Sequence, residues 1–375
     1  MVTFDLDFNY CLGEKVFKCV ILEGNKLPTC IVLKMSLKRK KSTNLEQELE
    51  KLFSKPKPKS KLLRTFRKLM ENYHVHQEKI LYLALDHALI EIVQDLLKGL
   101  DLNVKRFEEE YEVKPLHIAV IDGNSDIVQL LVKHGAYLNS ISDTEIALNM
   151  AVSEGCGLEM VKILLQNGAD PNISCHGKTS IQEITSRRTF NLEILHELLK
   201  YGAKINHLDE NGYSPLNDMC GKSQNVDAIL LLIQYGADVN FKNQDGESPL
   251  HTAAYMTNVE VMKILLKHGA DSRYLNSERQ SPLHLLSKND ENYSIEIVVK
   301  AILLLSEYGI DINVQDIDGK TSLHHAVGKG DMEVVNCLQQ LNADWIIAKD
   351  IDGYSALECT LFDKKLGIFK SFLMK

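Results

Sequence analysis

From about residue 78 onward, apolar residues arrive in short helical bursts separated by polar turns. Ile127, Leu130 and Leu131 form one such stripe, and Val261, Leu265 and Leu266 another. The i, i+3, i+4 spacing predicts amphipathic helices with one buried face. The first ten residues follow another rule. Val2, Phe4, Leu6, Phe8 and Tyr10 alternate with polar Thr3, Asp5, Asp7 and Asn9, the period of a half-buried strand. KVFKCVIL and PTCIVLKMSL add two further strand-prone runs, with Gly24-Asn25 as a turn.

The helical bursts keep a beat. A glycine phrase recurs as GAYLN (135–139), GADPN (168–172), GAKIN (202–206), GADVN (236–240), GADSR (269–273) and GIDIN (309–313). Its glycines are spaced by 33, 34, 34, 33 and 40 residues. A second phrase stays in phase with it: KPLHIAV (114–120), SPLNDMC (214–220), SPLHTAA (248–254), SPLHLLS (281–287) and TSLHHAV (321–327). IALNMAV (146–152) and TSIQEIT (179–185) are degenerate copies, and weaker units are expected there. Ser214-Pro215, Ser248-Pro249 and Ser281-Pro282 each read as an N-cap followed by proline at the first helical position, where its missing N–H is harmless. A short helix, a second helix, a glycine stop in the left-handed conformation and a D-x-x-G turn complete the unit.

Helix, helix and turn at this period resemble the ankyrin repeat family. The resemblance covers about 300 of the 375 residues. It implies an all-α solenoid of antiparallel helix pairs with projecting β-hairpins, preceded by a small β-prone segment. The expected organisation is a β-prone N-terminal segment (1–33), a basic linker with a short helix (34–75), and an array of about nine units (76–375). First helices are expected near residues 115, 147, 180, 215, 249, 282 and 322, after a degenerate unit at about 78–105. In the eighth unit Asn342 takes the glycine position, a place that tolerates positive φ. The last unit (352–375) has no glycine phrase after its second helix, as in a C-terminal cap or a chain stopping inside an array. The spacing of 40 is assigned to a longer loop between the helices, in SKNDENYSIEI.

Charge divides the chain. The net charge is −8, but residues 34–68 hold 13 bases and three acids, whereas residues 69–375 carry −17. Lys38, Arg39, Lys40 and Lys41, then Lys55, Lys57, Lys59 and Lys61, resemble a nuclear-import signal. Other readings remain open for this stretch: a solvated linker, a contact with nucleic acid or lipid phosphate, or docking onto the acidic array. No aromatic residues interleave the bases, so sequence-specific nucleic-acid recognition is disfavoured.

Composition excludes several classes. Hydrophobic residues at 45% rule out wholesale disorder, and no apolar run approaches membrane-spanning length. Eight cysteines without a CxxC pair fit a reducing compartment rather than a disulfide scaffold. The N-terminus lacks the basic and apolar regions of a signal peptide. No phosphate-binding, dinucleotide, nucleophile-elbow or zinc-protease motif is present. His117, His251, His284 and His324 fall one per unit, which points to a framework role, and the resemblance implies that each hydrogen-bonds backbone across adjacent turns. The chain is therefore expected to be non-enzymatic, without cofactor, metal or small-molecule substrate.

The resemblance implies contacts through turn tips and the inner face of the first helices. By phase, those positions are Leu208, Glu210, Tyr213, Lys242, Gln244, Glu247, Tyr255, Met256, Leu275, Gln280, Gln315, Ile317, Lys320 and Tyr354. Alternatively the tips pack on one another along the array. The expected function is a monomeric scaffold or adaptor, cytoplasmic or nuclear, that binds a protein with a basic surface. The other reading is a targeting or regulatory fragment of a larger signalling protein with catalysis elsewhere.

Overall fold

A computed structural model describes residues 64, 65, 67, 68, 77–86, 88–100, 102–103, 114–141, 145–187, 191–222, 226–288, 294–362 and 368. Contacts divide the chain into Met1–Glu48 and Leu49–Lys375. The expected N-terminal strands and the Lys/Arg clusters at 38–41 and 55–61 lie outside the described residues. Arg67, at the end of the basic stretch, pairs with Asp95 at 3.4 Å.

Among the described residues the second unit is an alternation of short helices. The first helix of each pair is α1 (Gln77–Asp86), α3 (Pro115–Ile121), α5 (Ala147–Ser153), α7 (Ser180–Thr185), α9 (Pro215–Cys220), α11 (Pro249–Tyr255), α13 (Pro282–Lys288), α15 (Ser322–Lys329) and α17 (Ala356–Phe362). Their partners are α2 (Ile90–Leu96), α4 (Ser125–Lys133), α6 (Leu158–Gln166), α8 (Leu192–Lys200), α10 (Val226–Gln234), α12 (Val259–Lys267), α14 (Ile295–Glu307) and α16 (Met332–Gln340). Each first helix packs on the next first helix and on its own partner, and the partners pack on one another. The result is a two-layer helical solenoid in which the described helices pack chiefly on their neighbours. Stripes such as Val261, Leu265 and Leu266 are buried between the layers, as their spacing predicts.

In several units one side chain joins adjacent turns, but not at His117, whose buried ring nitrogens have no hydrogen-bond partner among the described residues. Ser248 N donates to His251 Nδ1 (3.2 Å), and His251 Nε2 reaches the carbonyl oxygen of Gln280 (3.1 Å). His284 does the same with Ser281 and Lys320, and His324 with Thr321 and Tyr354. Gln182 copies the wiring without a ring: its Oε1 accepts from Thr179 N (3.0 Å) while its Nε2 donates to His207 O (3.1 Å). The degenerate phrase TSIQEIT thus still makes a fully capped helix. Asn217 is one methylene shorter. Its Oδ1 meets Ser214 Oγ at 2.6 Å, but its buried Nδ2 finds no partner among the described residues.

A second staple runs through the asparagine that closes each glycine phrase. Asn206 Nδ2 donates to Gly236 O (3.3 Å) and its Oδ1 accepts from Asp238 N (3.0 Å). Asn103, Asn139, Asn172 and Asn240 bind the following phrase in the same two ways. The series breaks at Arg273, which turns back to Asp271 at 3.0 Å. Ser272 Oγ, donating to Tyr308 O at 3.1 Å, is the bond that remains there. Arg273→Asn should restore the staple. Each new hydrogen bond is worth about 0.5–1.5 kcal/mol, so the urea midpoint should rise, and an unchanged or lower midpoint would show that this junction cannot accept the pair.

The break adjoins the irregular unit. α14 has 13 residues where α12 has nine. The extra length at 281–313 is therefore shared between the second helix and the segment before it, and the loop alone does not absorb it. The helix-period run Ile295, Val298, Ile302 and Leu305 explains why the insertion stays helical. At Asn342, φ is +63°, as its place in the glycine position predicts.

Candidate protein-interaction surface

Between helix pairs the chain turns back on itself in a hairpin-like tip. Asp209, Asn243, Asn276, Asp316 and Asp350 organise successive tips by the same chemistry. Each side-chain Oδ1 accepts the backbone N–H two and four residues on, as Asp316 does from Asp318 (3.0 Å) and Lys320 (2.8 Å). These Asx-type bonds hold the turn without a regular strand. Isolated β-bridges, such as Lys349 with Ser355, are the strand pairing among the described residues. Tips also bond to one another: Ser277 N to Asp245 O (2.8 Å), Ile317 N to Glu278 O (2.9 Å) and Ile351 N to Asp318 O (2.9 Å). The backbone therefore packs tip on tip, and only some of the side chains of the same turns are left facing outward.

The sequence-derived positions divide accordingly. Leu208, Glu210, Lys242, Gln244, Tyr255, Ile317 and Tyr354 are exposed, and Tyr213, Glu247, Met256, Leu275, Gln315 and Lys320 are half-buried. Gln280 is different. It is 5% exposed, its carbonyl oxygen accepts from His251, and its side chain meets Asn276, so it is a framework residue and leaves the candidate surface. Gln244 Nε2 is spent on Glu210 O (3.2 Å), and Gln315 Nε2 on Gly319 O (2.7 Å) and Lys349 O (2.8 Å). Both amides lock tips together. Lys242 lies over the Tyr274 ring, 4.2 Å from its centroid.

The structure adds residues that the phase argument passes over. Ile346 and Ile347 are exposed, the latter by 85%, in the turn that ends at Ile351. Asp344 accepts from both backbone N–H groups (2.9 and 3.0 Å), which fixes the turn and leaves the two side chains outside. Their signal in the sequence was Ile346, which stands where other phrases close with asparagine, as at Asn206 and Asn240. Ile317 is 62% and Ile351 72% exposed on adjoining tips, with Tyr354 at the end of the second tip. Apolar side chains this large on neighbouring, rigid turns are suited to contact.

Beside these tips a cleft of about 450 Å³ opens on the inner side, lined by Lys288, Lys320, His324, His325, Lys329 and Tyr354 among others. His325 Nε2 meets Asp316 Oδ2 at 2.8 Å. Burial would push the Asp316 carboxyl up, but the bonds from His325 and from Lys320 N outweigh it and hold the group below the usual carboxylate range. No group of three or more His, Cys, Asp or Glu among the described residues could hold a metal ion, and no described helix is long and apolar enough to cross a membrane.

Comparison with known proteins follows the same phase. A family profile described as ankyrin repeats (3 copies) matches residues 80–175, 148–243, 183–275 and 219–316, and one described as ankyrin repeats (many copies) matches 298–339. Similar relatives include the fowlpox virus ankyrin repeat proteins FPV031 and FPV216. They are 31% identical over 157 residues and 32% over 116 residues, or 40% and 30% of this chain. A third, FPV244, is 27% identical over 122 residues, 32% of the chain. The aligned parts cover 45%, 39% and 17% of the three relatives, less than half of each.

Proposed function

The chain belongs to the ankyrin repeat family, whose arrays mediate protein–protein contacts, and from that premise we propose that it is a non-enzymatic docking scaffold that grips its partner with the turn tips and inner helix face. The observation that carries this reading is the run Ile317, Ile351 and Tyr354, exposed on tips whose polar backbone is already satisfied from within. Ile317 and Ile351 keep large apolar side chains on the surface of these turns, and covering them is what a partner would supply. The surrounding carboxylates of Asp318, Asp350 and Asp352, and the −17 of residues 69–375, favour a partner with a basic surface and salt-sensitive association. On this reading the protein works in the cytoplasm or nucleus as a monomer, either alone or as the docking part of a longer chain.

The test is affinity capture with the full chain and two variants, run on cytosolic and nuclear fractions. One carries Ile317→Ser, Ile351→Ser and Tyr354→Ser; the other carries Leu208→Ser, Tyr213→Ser, Tyr255→Ser and Met256→Ser. Loss of contact anchors worth about 2 kcal/mol should reduce recovery of the specific partner more than tenfold in at least one variant. The same partners at the same yield with both variants would place the docking face elsewhere. The fraction that yields the partner reads the compartment.

A further inference from the structure

We propose a second docking site on the opposite layer: a trough across α6, α8 and α10 that receives an amphipathic, cationic helix of a partner protein. The trough has a volume of about 540 Å³ and is lined by Leu158 and Lys162 from α6, by Leu192, Glu193, His196 and Glu197 from α8, and by Asp227, Leu230, Leu231 and Gln234 from α10. It lies wholly on second helices, away from the tips and first helices used above.

Comparing equivalent positions shows what is unusual here. In the second helices of six units the fifth position of the nine-residue core reads Gln129, Lys162, His196, Leu230, Lys263 and Asn336. This position faces outward, and it is polar in every one of those units except at Leu230. Leu192 at the start of α8 is exposed, and with Leu158, Leu230 and Leu231 it gives the trough an apolar floor on a face that solvent otherwise meets. One wall is fixed: Tyr235 meets His196 edge-on, with ring centroids 6.0 Å apart and its hydroxyl 3.3 Å from Nε2.

The rim selects the occupant. Three carboxylates, Glu193, Glu197 and Asp227, stand against one ammonium, Lys162. Lys200 pairs with Glu197 at 3.3 Å, whereas Glu193 and Asp227 have no counter-charge among the described residues. A leucine floor inside an acidic rim complements a helix with apolar anchors along one face and Lys or Arg beside them. Three adjacent helices at 8–10 Å separation span about 20 Å, the length of some 13 helical residues.

The probe is a fluorescein-labelled 18-residue peptide of leucine and lysine patterned as an amphipathic helix, titrated by polarisation against the full chain. Two control peptides replace its lysines by glutamate or place two prolines at its centre, which abolishes the helix. The Leu/Lys helix should bind, and both controls should bind at least tenfold more weakly. Leu230→Gln, which supplies the kind of residue found in other units, and Asp227→Lys should each weaken binding about tenfold with an unchanged melting midpoint. The Ile317→Ser, Ile351→Ser, Tyr354→Ser variant should bind like the parent, so failure here is separable from failure of the tip reading. Absent binding, equal binding of the proline peptide, or a loss seen in the tip variant instead of the trough variants would overturn the proposal.

Discussion

Acidifying the protein from pH 7 to pH 4 should lower its melting midpoint steeply, and replacing His251 and His284 together by glutamine should remove a large part of that loss. Burial pushes both imidazoles down from 6.5 to about 4; for His251 nearby Lys242 and His284 add to the effect, and for His284 so does His325, while Asp316 opposes it. A group with a depressed folded pKa binds its proton more readily when unfolded. Its stability contribution is therefore complete above 6.5 and is lost as pH falls toward 4. Full loss is about 3 kcal/mol for each ring, or on the order of 6 kcal/mol for the pair. Other groups act across the same range. Burial raises Glu145, Asp218 and Glu247, which oppose the loss, and the lowered Asp316 adds to it. Burial lowers His117 to about 4 and lowers His324 as well, and both rings add to the loss in parent and variant alike, so the double substitution isolates the part due to His251 and His284. Glutamine is the right replacement because Gln182 already makes the N-cap bond and the cross-turn bond without a titrating ring. Thermal melts of parent and double variant at half-unit pH steps should converge at pH 4 relative to pH 7. Parallel curves would mean that these rings are not buried neutral.

How much of this was legible beforehand follows from how a solenoid is built. Each unit buries its apolar face against its neighbours, so the buried pattern must repeat at the unit length. The phrase around Pro215, Pro249 and Pro282 accordingly marked helix starts that the structure places at those same residues. The wiring of His251, His284 and His324 was legible for the same reason, because a side chain that bonds to the next turn has to recur, whereas the same phrase at His117 does not make the bond. The length of α14 was not legible. SKNDENYSIEI reads as a loop when judged by its polar first half, while the apolar period that makes it helical begins only at Ile295.

Surface features were harder, because they depend on what adjacent units bring together. Gln280 occupies a tip position by phase, yet its carbonyl and side chain are used by His251 and Asn276. Leu230 looks like one more core residue of α10 when that helix is read alone. Only alignment with Lys162 and His196 on the neighbouring helices shows that it faces outward. Ile346 closes the eighth unit's phrase (342–346) where other units have asparagine, and Ile347 follows it; it took the Asp344 bonds to show that the turn is held with both side chains outside.

The tips offer the other large effect. Gly319→Val should cost distinctly more stability than Gly236→Val, although both glycines have positive φ. Gly236 sits at φ +91° with nothing within 4 Å of an added Cβ, so its substitution carries backbone strain alone, about 1–3 kcal/mol. Gly319 sits at φ +71°, and its added Cβ would stand 2.9 Å from Lys349 O and 3.0 Å from Asp350 Cα. Both neighbours are backbone, so no rotamer change relieves the collision. The tips must separate, which endangers the Ile351 N to Asp318 O bond and the bridge that Gln315 makes between Gly319 O and Lys349 O. Losing about two hydrogen bonds at 0.5–1.5 kcal/mol each, on top of the strain, brings the expected cost to roughly 2–6 kcal/mol. Urea midpoints of the two variants measure the difference directly. Equal shifts would show that stacked tips yield at little cost, and a soft stack could not hold Ile317 and Ile351 in the fixed relation that tip-mediated docking requires.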